Sequence, residues 1–337
     1  MDGGVDDKTG PIAIDRIDSA PIVEFGSVPG YGPIFNAGAV FHDGRYHLFA
    51  RGVHDRYRRN RSAGARFLDY ISDILVFTSE DGRRYDYQQV LAESSAHGIY
   101  SYEDPRVQLV RSGDADHFVM SYTNLPAPET NLFWRIGVHR LEYADGQFSL
   151  EEGSEAVIGP EGEPNKDCVI FNLADGRVAL IHRIYPNMQI AIFDSLDDVW
   201  SPPDGYWEEH MADLEAHTII RPLERALGVG AGAPPVVTDD GLLLLFHERD
   251  GNERYSTKAA LLDHETGALL SILEKPIMSP ELDWERQGDV NNVVFVQGAI
   301  PDEHGRVYMT YGAADRCVGA AAVSIDEVLG ALRLSGR

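Results

Sequence analysis

One pattern recurs five times along the chain and limits what it can fold into. A turn residue opens a short β-prone run that ends on polar or charged residues. The copies are GRYHLFARG from Gly44, DHFVMSYTN from Asp116, GRVALIHRI from Gly176, GLLLLFHER from Gly241 and GRVYMTYGAAD from Gly305. With Phe49, Ser121, Ile181, Phe246 and Thr310 in register, the steps are 72, 60, 65 and 64 residues. A strand-like segment precedes each copy (FNAGAVF, DPRVQLV, KDCVIF, GAPPVV, NNVVFVQGAI). Another follows it (SDILVFTSEDG, WRIGVHRLEYADG, MQIAIFDSLDD, STKAALLDHETG, GAAAVSIDEVLG). Strand triplets repeating at this period indicate small sheets arranged radially. The expected fold is all-β: a five-bladed β-propeller forming one domain over residues 1–337, with an N-terminal extension of about 30 residues. A sandwich with long insertions would not repeat its triplets. Helix is expected to be sparse. DLEAHTIIRPLERALG, from Asp213, reads either as one short helix or as an extended segment interrupted by Pro222, and IDEVLGALR as a final turn.

Charge narrows the class. The chain carries 29 basic and 54 acidic residues, a net charge of -25. Such a surface repels nucleic-acid phosphates, so no nucleic-acid partner is expected. Two cysteines, Cys168 and Cys317, give no disulfide framework. The start, MDGGVDDKTG, is acidic with no apolar run behind it, and no window approaches a membrane span. A cytoplasmic protein without a membrane partner is the expectation.

In a propeller the innermost strands line a channel, and groups from every blade converge at one face. Polar residues at matching places in the inner segments are therefore candidates. They are Asn36, Asp104, Lys166-Asp167, the GAGAPP turn (Gly230 to Pro235) and Asn291-Asn292. Asp104 lies in GIYSYEDPRVQLV, an acid pair followed by Pro-Arg and then a strand. If the stretch is extended, Glu103 and Asp104 point to opposite sides, so one can be buried without the other. Arg106 reads equally as a ligand-binding residue or as a brace for the strand end.

Several segments together resemble the β-mannoside phosphorylase family, glycoside hydrolase family 130. They are FNAGAVFHDGRYHLFAR, YEDPRV, PNKDCVIF, LIHRIYPN, GAGAPPV with GLLLLFHE, and RQGDVNNVVFVQGAI followed by VYMTYGAAD, spread over about Phe35 to Glu327. The resemblance implies inverting phosphorolysis of short β-linked mannosides, releasing α-mannose 1-phosphate. Inorganic phosphate is the co-substrate, and no other cofactor is implied. Asp104 matches the family's general acid, which passes its proton through the mannose 3-hydroxyl in subsite -1. Such a donor must be partly desolvated or near another carboxylate.

Phosphate needs convergent cations and N–H donors. The candidates are Arg51, Arg135, Lys166, His182, Arg183 and His247, of which Lys166, His182 and Arg183 look most like the family's phosphate-handling residues. The sugar needs hydroxyl partners and an aromatic floor. Asn36 sits where the family contacts the -1 mannose. Asp167 and Asp315 can each accept two hydroxyl protons. Tyr102, Tyr255 and Tyr311, with Tyr185, are candidate stacking or hydrogen-bonding partners. No His/Asp/Glu spacing typical of a metal site is present, so no metal is expected.

Two stretches stand apart. RGVHDRYRRNRSAGARF (Arg51 to Phe67) holds six arginines against one aspartate. It is a candidate phosphate-binding loop. It is also a candidate contact to the acidic surface of another subunit, and the second is preferred because six charges exceed one phosphate's need. The second stretch is HERDG after the fourth repeat. Its Glu248 is a candidate base for the alternative reading, a β-mannosidase of the same fold, since inverting hydrolysis needs a second carboxylate and phosphorolysis does not.

Overall fold

Each repeat folds into one antiparallel sheet, and the five sheets form a five-bladed propeller. The computed structural model describes residues 12–61, 66–126 and 133–335. Blade one contains Tyr31–His42, Arg45–His54, Ser72–Ser79 and Asp86–Ala92 from the channel outward. Blade two contains Ser101–Ser112, Ala115–Leu125, Arg135–Ala144 and Gln147–Leu150, and a short strand Ala156–Ile158 also pairs with the third of these. Blade three contains Lys166–Asn172, Val178–Arg183, Met188–Phe193 and Thr218–Ile220. Blade four contains Ala226–Ala231, Gly241–Asp250, Tyr255–Leu262 and Leu269–Ile272, with Val236–Thr238 continuing its inner edge.

Blade five closes the ring. Its inner strands Val294–Pro301, Arg306–Ala313 and Cys317–Ser324 come from the end of the chain, and its outer strand is Ile14–Arg16. Part of the stretch expected as an N-terminal extension is therefore built into a blade. Three residues are too short for a strand pattern to register. Arg16 locks the closure through Glu285, with Nε–Oε1 at 2.7 Å.

Five apolar clusters fill the five blade junctions. The unbroken run Leu242–Leu245 follows from this: Leu242 and Leu244 face blade three, while Leu243 and Leu245 face blade five. A strand buried on both faces need not alternate apolar with polar. The segment from Asp213 is extended, forming Thr218–Ile220 and Ala226–Ala231; the helices beside it are Leu196–Trp200 and Tyr206–Ala212. The terminal segment forms the helix Ile325–Ser335. Among the described residues no helix is long and apolar enough to cross a membrane.

The arginine-rich stretch forms a small hairpin, Arg58–Arg59 paired with Phe67–Leu68, whose residues 62–65 lie outside those described. It reaches across the channel face within its own chain. Arg59 donates to the Asp289 carbonyl before blade five, and Arg66 pairs with Glu253 in blade four at 3.5 Å.

Candidate active site

The inner strands break register at matching points. Bulges fall between Phe35 and Ala37, Glu103 and Arg106, Lys166 and Val169, and Val296 and Gly298. In blade four the chain loops out between Gly232, which bonds Leu245, and Val236, which pairs with Leu243. Asn36, Asp104 and Asp167 occupy the first three bulges with left-handed φ of 48°, 51° and 55°. Asn and Asp tolerate this region better than other side-chain-bearing residues. The bulge turns each side chain away from the blade junction. Blade five supplies Gln297, fully buried, rather than the expected Asn291-Asn292, which lie outside the strand. Counting back from the second strand's apolar run would have found it.

Charges alternate around this ring. Arg51 Nη2 donates to Glu103 Oε1 at 2.6 Å, and its Nη1 lies 3.6 Å from Asp104 Oδ1. Glu103 and Asp104 thus share one cation instead of facing opposite ways, because the bulge interrupts strand alternation. Asn36 Nδ2 donates to Asp104 Oδ1 at 2.8 Å. Arg106, 1% exposed, is a brace. It donates to the carbonyls of Asp104, Ala231 and Gly232 and to Asp167 Oδ1, tying blades two, three and four together. Arg183 Nη1 then lies 3.0 Å from Asp167 Oδ2, and His247 Nε2 lies 3.6 Å from the same atom. Lys166 pairs in register with Arg183 and lies over the Trp134 ring. Small residues make room for this. A Cβ on Gly230 would fall 2.3 Å from Asp167 Oδ2, and one on Gly312 would fall 1.7 Å from Asn36 Oδ1.

The ring fixes protonation states. Burial alone would raise the Asp167 pKa, but the surrounding cations outweigh it and hold the carboxyl well below its usual range. His247 is pushed down to about 3 by burial, reinforced by Arg183, Arg106 and Lys166 against the opposing pull of Asp167. The imidazole is therefore neutral at pH 7, and the cations holding Asp167 ionised are Arg183, Lys166 and Arg106. Asp315 behaves oppositely. Burial, with Asp104 and Asp289 adding to it and Arg51 opposing, lifts its carboxyl to about 7. Asp104 is 6% exposed and lies between the Arg51 guanidinium and the Asp315 carboxyl.

Several expected residues stand elsewhere. His182 projects from the opposite face of its strand to Arg183, where its ring meets Asn165 and His210 Nε2 at 3.1 Å. Burial and its histidine neighbours lower its pKa, so it adds no positive charge. Arg135 reaches Gly159 and lines a cavity of about 550 Å³ with Trp200 and Trp207, off the ring. Tyr102 is buried between blades one and two, with its hydroxyl on Glu155. Tyr311 is buried with its hydroxyl on Glu285 and its ring stacked on Trp284. Tyr185 is 62% exposed. Tyr255 stays near the ring, 6.0 Å from His247 and in the field of Asp315, Arg183 and Asp167. Glu248 points away from His247 along the same strand. Its Oε1 pairs with the buried Lys258 at 3.0 Å and its Oε2 accepts from the Leu223 N–H. Arg249, lying over the Tyr255 ring, is an additional cation here that the motifs did not single out.

Buried polar atoms without a hydrogen-bond partner among the described residues gather at this face: Asn36 Oδ1, Arg183 Nε, His247 Nδ1, Arg249 Nε, Asp289 Oδ2 and Gln297 Oε1. Buried groups left this way are costly unless a ligand or water meets them. The ring can hold a hydroxyl-rich ligand beside Asp104 and an anion beside Arg183 and Lys166.

Known proteins resemble the chain over most of its length. The chain matches the family model for β-1,4-mannooligosaccharide phosphorylase over residues 15–334. It is 29% identical over 312 residues to the 1,2-β-oligomannan phosphorylase of Thermoanaerobacter sp. (strain X514), covering 88% of this chain and 91% of that one. It is 30% identical over 282 residues to the β-1,2-mannobiose phosphorylase of Listeria innocua, covering 81% and 72%. The fold matches the structure of a Listeria innocua β-1,2-mannobiose phosphorylase in complex with β-1,2-mannobiose. That match has a TM-score of 0.72 at 22% identity and covers 96% of this chain and all of that one. With the family match spanning almost the whole chain, the protein belongs to glycoside hydrolase family 130.

Proposed function

We propose that the protein is an inverting phosphorylase of short β-linked mannosides, taking inorganic phosphate and releasing α-mannose 1-phosphate. The observation that carries this reading is the asymmetry of the ring. Cations Arg183 and Lys166 gather beside Asp167 opposite one candidate acid, while the candidate hydrolytic base Glu248 is tied to Lys258.

Asp104 is the general acid. The Asn36 amide and Arg51 both lie against Oδ1, which leaves Oδ2 for the mobile proton. That proton moves to the mannose 3-hydroxyl, whose own proton goes to the glycosidic oxygen as the C1–O bond breaks. A phosphate oxygen attacks C1 from the opposite face and forms the new C–O bond, so configuration inverts. Arg183 and Lys166 hold the dianion and offset its charge in a protein of net charge -25. Asp167 sets the position of Arg183. Asn36, Asp315 and Tyr255 meet the sugar. The β-1,2 linkage is favoured, because the relatives near 30% identity carry names that specify it.

The test is incubation with β-1,2- and β-1,4-mannobiose, with and without phosphate. The expected result is sugar phosphate formed from the β-1,2 substrate only when phosphate is present. Free mannose released equally fast without phosphate would make the protein a mannosidase instead.

A further inference from the structure

Blade two carries a second cluster of polar side chains, away from the channel ring. His97 ends the short helix Ser94–His97, which links blades one and two. His139 lies on the strand Arg135–Ala144. Glu155 directly precedes the strand Ala156–Ile158. One ligand atom from each of the three lies within 4.8 Å of the others. His97 Nδ1 is 3.3 Å from Glu155 Oε2, and His139 Nε2 is 3.8 Å from Glu155 Oε1.

His139 makes the cluster more than a surface ion pair. It is 3% exposed, and its Nε2 has no hydrogen-bond partner among the described residues. Its other nitrogen, Nδ1, lies 3.4 Å from Ser154 Oγ. The Ser154 hydroxyl proton is committed to the Glu151 carbonyl at 2.8 Å, so Oγ can only accept from the ring. That places the imidazole proton on Nδ1 and leaves a bare lone pair on Nε2 facing a carboxylate oxygen. A buried imidazole lone pair facing a carboxylate oxygen at 3.8 Å calls for a cation between them. The carboxylate is also oriented from outside. The hydroxyls of Tyr102 and Tyr122 both donate to Glu155 Oε1, at 3.5 and 3.3 Å. Outer donors of this kind are how proteins fix metal-binding carboxylates and imidazoles.

We propose that His97, His139 and Glu155 form a binding site for one late first-row divalent cation, Zn²⁺ being the best fit. Two imidazoles and one carboxylate suit such an ion and not Ca²⁺ or Mg²⁺, which take oxygen ligands. Ligand atoms around a tetrahedral zinc lie roughly 3.3 Å apart, so small side-chain movements close the set. His97 and Glu155 are 29% and 33% exposed, which gives the ion an entry path and leaves a solvent-filled fourth position. The ligands are separated by 42 and 16 residues, so no spacing motif reveals them. The ion would staple the interblade helix to blade two. It would also hold Glu155 against Tyr102, two residues before Asp104.

The test uses the full chain, stripped with chelator and dialysed. Zn²⁺ is titrated calorimetrically, and Co²⁺ is followed by its visible absorption. The expected result is one equivalent of tight Zn²⁺, a raised melting temperature, and the intense bands of four-coordinate Co²⁺. His97 is exposed enough for H97A to fold, and this variant should lose the tight equivalent while melting like the metal-free parent. Y122F should bind about 10–100-fold more weakly. Because the chain has 12 histidines, dependence on His97 is decisive. Absence of a tight equivalent in the parent, or full retention of it in H97A, overturns the site.

Discussion

The Asn36 amide donates to Asp104 Oδ1 at 2.8 Å, joining the inner-strand bulges of blades one and two. The bond decides which carboxyl oxygen is free to carry a proton. It also makes the acid's geometry a property of two blades rather than of one loop. Asp104→Asn keeps the size and can still accept from Asn36, but it has no acidic proton. Turnover should fall by at least about 10²-fold, the low end of what acid–base catalysis contributes, with little change in melting temperature. Near-normal turnover by this variant would remove Asp104 as the acid.

Asn36 should act on rate through position. Asn36→Ala frees Asp104 Oδ1 and should cost about 10-fold or more in kcat, consistent with loss of one hydrogen bond to a charged group. Gly312→Ala should mimic it from the neighbouring blade, since the new Cβ would fall 1.7 Å from Asn36 Oδ1. If both variants changed only the mannoside KM, Asn36 would be a sugar contact without a role in holding the acid.

Arg183 should govern phosphate. Its side chain is 13% exposed, held by Asp167, and its Nε has no partner among the described residues. Arg183→Ala should raise the phosphate KM by about 10- to 100-fold, the size of a lost charge-assisted hydrogen bond, while the mannoside KM moves much less. Equal effects on both substrates would place Arg183 in the sugar site. His182→Ala provides the contrast. It should leave the phosphate KM near the parent value, because the ring faces Asn165 and His210.

The propeller was legible because each blade repeats the same apolar runs, and the period survives changes of residue. Asn36, Asp104 and Asp167 could be singled out because they hold matching places in the inner-strand segments, and Arg183 and His247 because they follow the apolar runs of the second strands. What escaped depends on the third dimension. His182 and Arg183 are adjacent in sequence, but strand alternation sends them to opposite faces. Tyr102 precedes the acid pair, yet its ring is buried at the junction of blades one and two. Glu103 was expected to turn from Asp104, and a bulge puts both on Arg51. The closing strand Ile14–Arg16 has no pattern of its own. Its partner in blade five lies about 300 residues away, and no local signal spans that separation.

Asp315 gives a pH signature. Its folded-state pKa of about 7 lies above the ordinary value of 3.8. For a group raised on folding, the stabilising contribution is complete below the unfolded pKa and is lost as pH rises through the folded one. Asp315 should therefore cost stability progressively between about pH 4 and pH 8. Asp167, depressed on folding, acts in a separate window, losing its contribution as pH falls below about 4. Asp315→Asn mimics the protonated side chain and should flatten the first window only. Melting curves of parent and variant that stay parallel from pH 4 to pH 8 would contradict the raised pKa.

Glu248 provides the last test, because it separates the two enzyme classes without touching the ring. Its Oε1 pairs with Lys258, whose side chain is 1% exposed, and its Oε2 accepts from the Leu223 N–H. Glu248→Gln can keep the second bond but removes the charge that compensates Lys258. Breaking a buried pair by neutralising one partner costs about 3–5 kcal/mol. With Glu248 itself 15% exposed, the low end is expected. The variant should melt at a lower temperature, yet below its melting range its phosphorolytic rate should stay within about 3-fold of the parent. A hydrolase using Glu248 as base would give the reverse. Its rate would collapse by about 10²-fold or more, as for any lost general base, whether or not phosphate is present.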